Sequence, residues 1–185
     1  TSCCPAWSVM AKKLFPELAK NISMALTPMV LTARLEKKKD PDCRIAFIGP
    51  CSAKKLEASR RTIRSHVDFV LTFEELGMFD AKEVDIENIP DSEAVPLDKG
   101  TGAGRGFAVS GGVANAVAAE IKRLEPDREV KIASAQGLHE CKKLLQLARA
   151  GKYNGYLLEG MGCPGGCVAG AGTMCAVNKA AIAID

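Results

Sequence analysis

The chain has 185 residues, 47% of them hydrophobic and 25% charged, a composition typical of a globular domain with a buried core and not of a disordered or repetitive chain. With 25 basic and 22 acidic residues its formal net charge is only +3, which does not favour nucleic-acid binding. No apolar run reaches the ~18 residues of a membrane span.

The first half of the chain predicts helices followed by short strands. Helices are expected at 5–14 and 29–38, and strands at 44–48 and 67–71. The first helix has Pro5 at its start and apolar residues at helical spacing, while both strands are short apolar runs of the kind found in a buried sheet. Thr72 is expected to cap a short helix through Met78, because Glu75 stands at the capping-box position.

The second half predicts regular alternation of strand and helix. After a loop-like stretch at 80–106, we expect a helix at 113–124, a strand at 129–135, a helix at 138–150 ended by Gly151, and a strand at 156–158. Alternating strands and helices are typical of the α/β class, with a mostly parallel sheet and helices on both of its faces.

Two segments resemble common catalytic motifs but lack their defining residues. The glycine-rich stretch at 100–106 is not followed by Gly-Lys-Ser/Thr and does not fit the dinucleotide fingerprint, so it is interpreted as a loop that lets the backbone approach a bulky group. Residues 108–112 lack the first Gly of a nucleophile elbow. The two histidines, His66 and His139, are expected in an exposed loop and at a helix start. Ser-His-Asp hydrolysis is therefore not favoured.

The eight cysteines are more informative. Cys3 and Cys4 lie at a predicted helix start, Cys51 follows a strand, and Cys163 and Cys167 follow another strand. Because parallel strands end on one edge of a sheet, Cys51 and the 163–167 loop are expected to be neighbours. Four thiolates there suit zinc or a 4Fe-4S cluster; zinc is the weaker choice because only one pair has zinc-knuckle spacing. The remaining three cysteines are expected to be small buried apolar residues: Cys43, Cys141 and Cys175.

A disulfide scaffold is not favoured, because the chain is long and rich in aliphatic residues and carries no signal-peptide pattern. A dithiol redox loop is not favoured either, since C-x-x-C is absent.

Three stretches, in the same order along the chain, resemble the signatures of iron-only (FeFe) hydrogenases. They are Thr-Ser-Cys-Cys-Pro-Ala-Trp (1–7), Gly-Pro-Cys-Ser-Ala-Lys-Lys-Leu-Glu (49–57) and Met-Gly-Cys-Pro-Gly-Gly-Cys-Val-Ala-Gly (161–170). Residues 91–93 and 107–113 also resemble family segments. The resemblance implies a partial catalytic-domain fold with an H-cluster, in which a 4Fe-4S cubane is joined to a di-iron centre carrying CO, cyanide and a bridging dithiolate.

The resemblance also implies roles for individual residues. Cubane ligands would be Cys4, Cys51, Cys163 and Cys167, with Cys167 also bridging to the di-iron centre. Cys3 would pass protons, assisted by Ser23 as a relay residue. Lys54 would donate to a cyanide ligand and Glu57 would support its loop. The residues lining the cofactor pocket would be Phe107, Met161 and Thr27. Without the motifs, Lys54 and Glu57 would be interpreted as a surface ion pair, and Phe107 and Met161 as ordinary core.

Departures from the family pattern surround the di-iron half of the implied site. Gly49 stands where Met is usual, Ala6 where Gly is usual and Met29 where Gln is usual, and residues 170–173 read Gly-Ala-Gly-Thr instead of Gly-Gly-Gly-Gln. Alternatives therefore stay open: a hydrogenase, a hydrogen sensor or iron–sulfur assembly factor of the prelamin-recognition-factor type, or a zinc-stabilised binding module.

The resemblance further implies the context of the chain. Residues 1–185 would be a single domain, the C-terminal portion of an H-cluster domain whose upstream part is missing, in a cytoplasmic protein. Expected partners are ferredoxin or another electron carrier, the maturation proteins, H₂ and protons, and no nucleic acid. The isolated piece is expected to self-associate and to be inactive.

Overall fold

Helices and strands alternate along the computed structural model, which describes residues 2–86, 88–93 and 100–184. The α-helices are α1 (Pro5–Leu14), α2 (Pro28–Lys39), α3 (Ala53–Ser59), α4 (Gly77–Ala81), α5 (Gly102–Arg105), α6 (Gly112–Leu124), α7 (Leu138–Arg149) and α8 (Val177–Ile182). The strands are β1 (Ala46–Ile48), β2 (Phe69–Leu71), β3 (Lys131–Gln136) and β4 (Tyr156–Met161). Short 3-10 helices cover Pro16–Asn21, Glu74–Leu76, Asp91–Glu93, Gly106–Ala108 and Cys167–Ala169.

The described strands form two separate parallel pairs. β1 pairs with β2, with Ala46 opposite Phe69, and β3 pairs with β4, with Lys131 opposite Tyr156. The predicted α/β class with parallel strands is confirmed. The expectation that residues 44–48 form a buried strand is wrong, because Ala46 and Ile48 are exposed, as is Phe69 beside them. An apolar run indicates that a strand has a hydrophobic face, but it does not show whether other residues of the chain cover that face.

Helices flank both faces of the β3–β4 pair. The side chain of Glu159 meets the first turn of α6, where it bonds to the backbone of Gly111 and Ala114. The next residue, Gly160, faces Trp7 of α1. Because neighbouring residues of a strand point to opposite faces, α1 and α6 lie on opposite sides of this pair.

The core lies between α1 and α7. Its buried cluster comprises Trp7, Ala11, Phe15, Cys141 and Leu145. The spacing of the first three along one helix face explains why α1 forms here: Pro5 starts the helix and the apolar stripe anchors it. Cys141 is fully buried, which confirms its interpretation as a core residue.

Two helix N-termini are capped by threonine side chains, one of them as the sequence predicts. The backbone N–H of Thr72 donates to Glu75 Oε2 (2.8 Å), and the N–H of Glu75 donates to Thr72 Oγ1 (3.2 Å). This is the predicted capping box, although it begins a 3-10 turn that leads into α4. Thr27 caps α2 in the same way, by accepting a hydrogen bond from the N–H of Val30.

Several local expectations are corrected. The glycine-rich stretch is not a loop: Thr101 caps α5, and Gly106–Ala108 is a 3-10 helix. α3 and α8 carry no strong apolar periodicity and were not predicted. Cys175 is exposed and Cys43 is only half-buried, so neither is a core residue. Residues 87 and 94–99 of the predicted 80–106 loop lie outside the described residues. None of the described helices is long and apolar enough to cross a membrane.

The contact between Gly160 and Trp7 predicts a specific sensitivity. A Cβ added to Gly160 would lie 2.3 Å from Trp7 Cδ2, so Gly160→Ala is expected to lower the free energy of unfolding by about 1–3 kcal/mol through overpacking. Gly77→Ala is the matched control, because nothing lies within 4 Å of its Cβ position. Denaturant unfolding of both variants measures the difference; equal midpoints would contradict close packing of α1 on β4.

Candidate metal centre

Five cysteines surround one cavity at the ends of β1 and β4. The cavity has a volume of about 130 Å³. Its sulfur-bearing walls are Cys3, Cys4, Cys51, Cys163 and Cys167. Cys51 is three residues beyond the end of β1, and Cys163 is two beyond the end of β4. Segments far apart in the chain therefore converge as predicted, but not on one sheet edge, because β1 and β4 belong to separate strand pairs.

The N-terminal cysteines reach this cavity because α1 packs against β4. Cys4 is the N-cap residue of α1. The backbone N–H of Gly162 donates to Cys4 Sγ at 3.3 Å, and a Cβ on Gly162 would lie only 3.0 Å from the Cβ of Ala6. A residue without a side chain at 162 thus lets the start of α1 lie against the end of β4.

The chain after Cys167 returns to the Cys51 segment. The N–H of Gly172 donates to the carbonyl of Pro50 at 2.9 Å. A Cβ on Gly170 would lie 2.2 Å from that same carbonyl oxygen. These contacts join two of the cysteine segments through backbone groups alone.

The loop that carries Cys163 and Cys167 turns through two left-handed glycines. Gly165 and Gly166 have φ of +96° and +99°, a conformation that L side chains rarely adopt. The N–H of Gly166 donates to the carbonyl of Cys163 at 3.1 Å, which closes the turn. The two thiols therefore face the same cavity from one short loop.

Burial and mutual repulsion disfavour the ionised form of Cys167 and Cys163. Burial, together with the charges of Cys4 and Cys51, raises the pKa of Cys167 to about 12. Burial, Cys51 and Cys4 raise the pKa of Cys163 in the same way. A bound metal reverses this balance, because a coordinating thiol is deprotonated by the cation.

Cys3 lies beside the N-cap of α1, but its pKa is raised and not lowered. Burial raises the pKa of the Cys3 thiol; the Lys54 ammonium lowers it, but Cys4 and Glu159 act with burial. The desolvation of the thiol thus outweighs the favourable charges around it.

Lys54 and Glu57 form a buried ion pair at the edge of the cavity. Lys54 Nζ lies 2.7 Å from Glu57 Oε2 and also donates to the carbonyl of Cys3 at 3.2 Å. The two side chains are only 10% and 5% exposed, so interpretation as a surface ion pair is wrong. The ammonium links α3 to the N-terminal cysteines.

Of the other predicted site residues, the structure places one at the cysteine cavity and three away from it. Met161 is buried and lines the cavity. Ser23 is exposed and lines a separate cavity of about 350 Å³ beside Trp7. Thr27 is occupied in capping α2, and Phe107 is half-buried in a 3-10 helix; neither is among the residues that line the cysteine cavity.

One residue near the site was missed by sequence reasoning. Glu159 is fully buried in β4, four residues before Cys163. The available signal was an acid inside the apolar run from Tyr156 to Met161, since an acid is almost never fully buried without partners.

The donor set fits an iron–sulfur cluster. Within the described ranges, no group of three or more His, Cys, Asp or Glu side chains is arranged to hold a metal ion. The sulfurs instead surround a shared cavity, and four cysteine thiolates are the usual ligands of a 4Fe-4S cluster.

Comparison with known proteins places most of the chain in one family. Residues 1–171 match the family model described as "Iron only hydrogenase large subunit, C-terminal domain". The chain is 30% identical to the periplasmic Fe hydrogenase large subunit of Nitratidesulfovibrio vulgaris, over 93% of this chain and 50% of that protein. It is 29% identical to iron hydrogenase 1 of Clostridium pasteurianum, over 93% of this chain and 37% of that protein. It thus spans about half, or less, of these curated relatives.

A partial match and the solved structures complete the comparison. Over 38% of its length, the chain is 41% identical to 15% of the cytosolic Fe-S cluster assembly factor NAR1 of Kluyveromyces lactis. The fold resembles that of apo FeFe-hydrogenase HydA1 from Chlamydomonas reinhardtii, with a TM-score of 0.73 and 24% identity, over 100% of this chain and 64% of that one.

The Lys54–Glu57 pair predicts that removing one partner of a buried ion pair costs much more stability than removing one partner of an exposed pair. Lys54→Met is expected to destabilise the protein by roughly 3–5 kcal/mol, because it leaves the Glu57 carboxylate buried without a partner. The double variant with Glu57→Leu should recover most of this loss.

The control for this prediction is Arg123→Met on α6. Arg123 pairs with Glu120 at the same i,i+3 spacing, but the side chains are 67% and 56% exposed, and its loss should cost at most about 1 kcal/mol. Urea unfolding compares the variants; a Lys54→Met effect no larger than that of Arg123→Met would refute the burial argument.

Proposed function

The chain belongs to the family of the iron-only hydrogenase large subunit, C-terminal domain, and on this basis we propose that it holds a 4Fe-4S cluster as part of a hydrogenase active site. The proposed ligands are Cys4, Cys51, Cys163 and Cys167. The observation that carries the proposal is the convergence of these four cysteines, from three distant segments, on one cavity.

When bound, the cubane and its di-iron partner supply the redox chemistry that converts two protons and two electrons to H₂ and back. The chain's own residues hold and enclose that group. Cys4, Cys51, Cys163 and Cys167 would hold the cubane, and Cys167 would also serve the di-iron half. The buried Met161 side chain excludes water from the cavity floor. The Lys54 ammonium, already held by Glu57, supplies a fixed positive charge for an anionic cyanide ligand.

Cys3 is the proposed proton-transfer group. It lines the cavity beside the ligand Cys4, and its carbonyl accepts a hydrogen bond from Lys54. A thiol can both give up and take back a proton at a positioned site. Ser23 is exposed and lines a separate cavity. In this proposal it would therefore relay protons further from the cluster than Cys3 does.

A second candidate function is iron–sulfur assembly, favoured by the match to the NAR1 assembly factor. That match covers 38% of the chain, whereas the hydrogenase relatives cover 93%. Cys3 distinguishes the two candidates in part, because the family resemblance implies that the assembly-factor branch generally lacks that thiol. The hydrogenase assignment therefore stands first, with a sensory variant of the same cluster as its non-catalytic form.

The whole protein's context follows from the same proposal. An electron carrier such as ferredoxin would deliver electrons to the cubane, and maturation proteins would install the di-iron centre. The relatives include both a periplasmic hydrogenase and a cytosolic assembly factor; we propose a cytoplasmic location. Large apolar side chains exposed in this chain, among them Met24, Met174 and Ile182, support the expected self-association when it is isolated.

The ligand assignment predicts which cysteines control iron binding. After anaerobic reconstitution of the full-length protein with iron and sulfide, Cys51→Ala and Cys163→Ala should each lose the thiolate-to-iron absorption and most bound iron. Cys175→Ala is the control, because Cys175 is exposed and does not line the cavity. Iron analysis and visible absorption decide; unchanged iron in both cavity variants would show that the ligands are assigned incorrectly.

The role of Cys3 predicts a separation between cluster content and turnover. In protein matured with its di-iron centre, Cys3→Ser should keep its iron and infrared CO bands but lose hydrogen turnover by ~10²-fold or more, the effect usual for a positioned proton-transfer group. Cys4→Ser should lose iron. Iron content, infrared spectra and hydrogen evolution test both variants, and near-normal turnover in a fully loaded Cys3→Ser protein would exclude the relay role.

A further inference from the structure

Glu159 is a buried carboxylate that the proposed chemistry does not use. It is completely shielded from solvent within β4. Both of its oxygens are occupied: Oε1 accepts from the N–H of Gly111 and Oε2 from the N–H of Ala114, each at 2.6 Å. Burying a charge is costly unless such partners compensate it, so the Glu159 carboxylate depends on these two backbone donors.

These two bonds reproduce a capping box from outside the helix. Gly111 is the N-cap residue of α6 and offers no side chain of its own. In a capping box, one side chain accepts from the N3 N–H and another accepts from the N-cap N–H. Here Ala114 is N3 and Gly111 is the N-cap, and a single carboxylate serves both. Only an ionised acid offers an acceptor oxygen to each donor, because an amide has one oxygen and its NH₂ would meet the second N–H.

The capped segment in turn supports the cysteine loop. Val109 pairs with Gly166 in an antiparallel bridge, and the N–H of Ser110 donates to the carbonyl of Gly165 at 3.1 Å. A Cβ on Gly166 would lie 2.6 Å from the nitrogen of Ser110, so the two backbones are in direct contact. Glu159 therefore acts on the 163–167 loop from two sides: through β4, which leads into Cys163, and through residues 109–114.

The Glu159 carboxylate lies close to the cavity, because Met161, two residues further along β4 and on the same face of the strand, lines it. A buried charge is only weakly screened by salt or solvent.

We propose that Glu159 is a positioning residue of the metal centre, which holds the loop of Cys163 and Cys167 and maintains a fixed negative charge beside the cluster. The inference rests on the proposed function, since the charge acts on a bound cluster. A nearby negative charge opposes the arrival of an electron, so Glu159 lowers the reduction potential of the cubane. The role requires no contact between Glu159 and the irons.

The test uses three variants and two measurements. Glu159→Gln keeps the side-chain shape and removes the charge. Glu159→Asp keeps the charge and shortens the reach. Glu140→Gln is the control, because Glu140 lies in the first turn of α7 but is exposed. Hydrogen–deuterium exchange is followed in the metal-free protein for peptides covering 109–114 and 163–167, and the reduction potential is measured after reconstitution with iron and sulfide.

Glu159→Gln should accelerate exchange in both peptides by roughly tenfold or more, as expected for the loss of a charge-assisted hydrogen bond, and should raise the reduction potential. Glu159→Asp should accelerate exchange and leave the potential near that of the unmodified protein; this variant decides if Glu159→Gln does not fold. Faster exchange confined to 109–114 with an unchanged potential would reduce Glu159 to a helix cap and overturn the proposal.

The hydrogen–deuterium exchange measurement needs no metal. Failure of the unmodified protein to bind iron would therefore refute the proposed function without deciding the positioning role of Glu159. In that event, acceleration in the 163–167 peptide still supports the positioning of the loop, and its absence still overturns it.

Discussion

The packing of Trp7 on Gly160 is the constraint on which the cysteine cavity depends. The indole ring occupies the space where any other residue at 160 would place a Cβ. This contact holds α1 against β4, and with α1 comes Cys4, whose sulfur accepts a hydrogen bond from Gly162. Without it, Cys3 and Cys4 would not be held at the cavity, and the remaining three cysteines would form an incomplete ligand set for a cubane.

Around that cavity, polar groups are buried only where a partner compensates them. Lys54 and Glu57 neutralise each other across one turn of α3, and Glu159 receives two backbone N–H groups. Such groups contribute little net stability compared with apolar residues of the same size, but breaking either arrangement is costly. Their value lies in orientation: one connects α3 with the Cys3 backbone, and the other connects β4 with the segment against the Cys163–Cys167 loop.

The departures from the family pattern have local structural counterparts. Gly49 stands where the family usually has Met, and here a Cβ at 49 would lie 3.0 Å from the ring of Phe47. The Gly170-Ala171-Gly172 stretch keeps glycine where Cβ atoms would meet the Pro50 carbonyl and Thr72. The departures concern side chains around the cavity, whereas the contacts that join the Pro50 and Gly170–Gly172 segments are made by backbone atoms.

Local sequence determined what local physics controls: the start of α1 at Pro5, the Thr72–Glu75 capping box, the helical periodicity of α6 and α7, and the parallel α/β class. The expected closeness of Cys51 to Cys163 and Cys167 is observed, but its predicted reason is wrong: β1 and β4 lie in separate strand pairs, and backbone contacts between the two segments bring the cysteines together. Only the tertiary structure decided the burial of the Lys54–Glu57 pair, the separation of Ser23 and Thr27 from the cavity, and the raised pKa of Cys3. It alone showed that Glu159 caps a helix 45 residues earlier in the chain. These properties depend on solvent exclusion and on contacts between distant segments, which spacing along the chain does not encode.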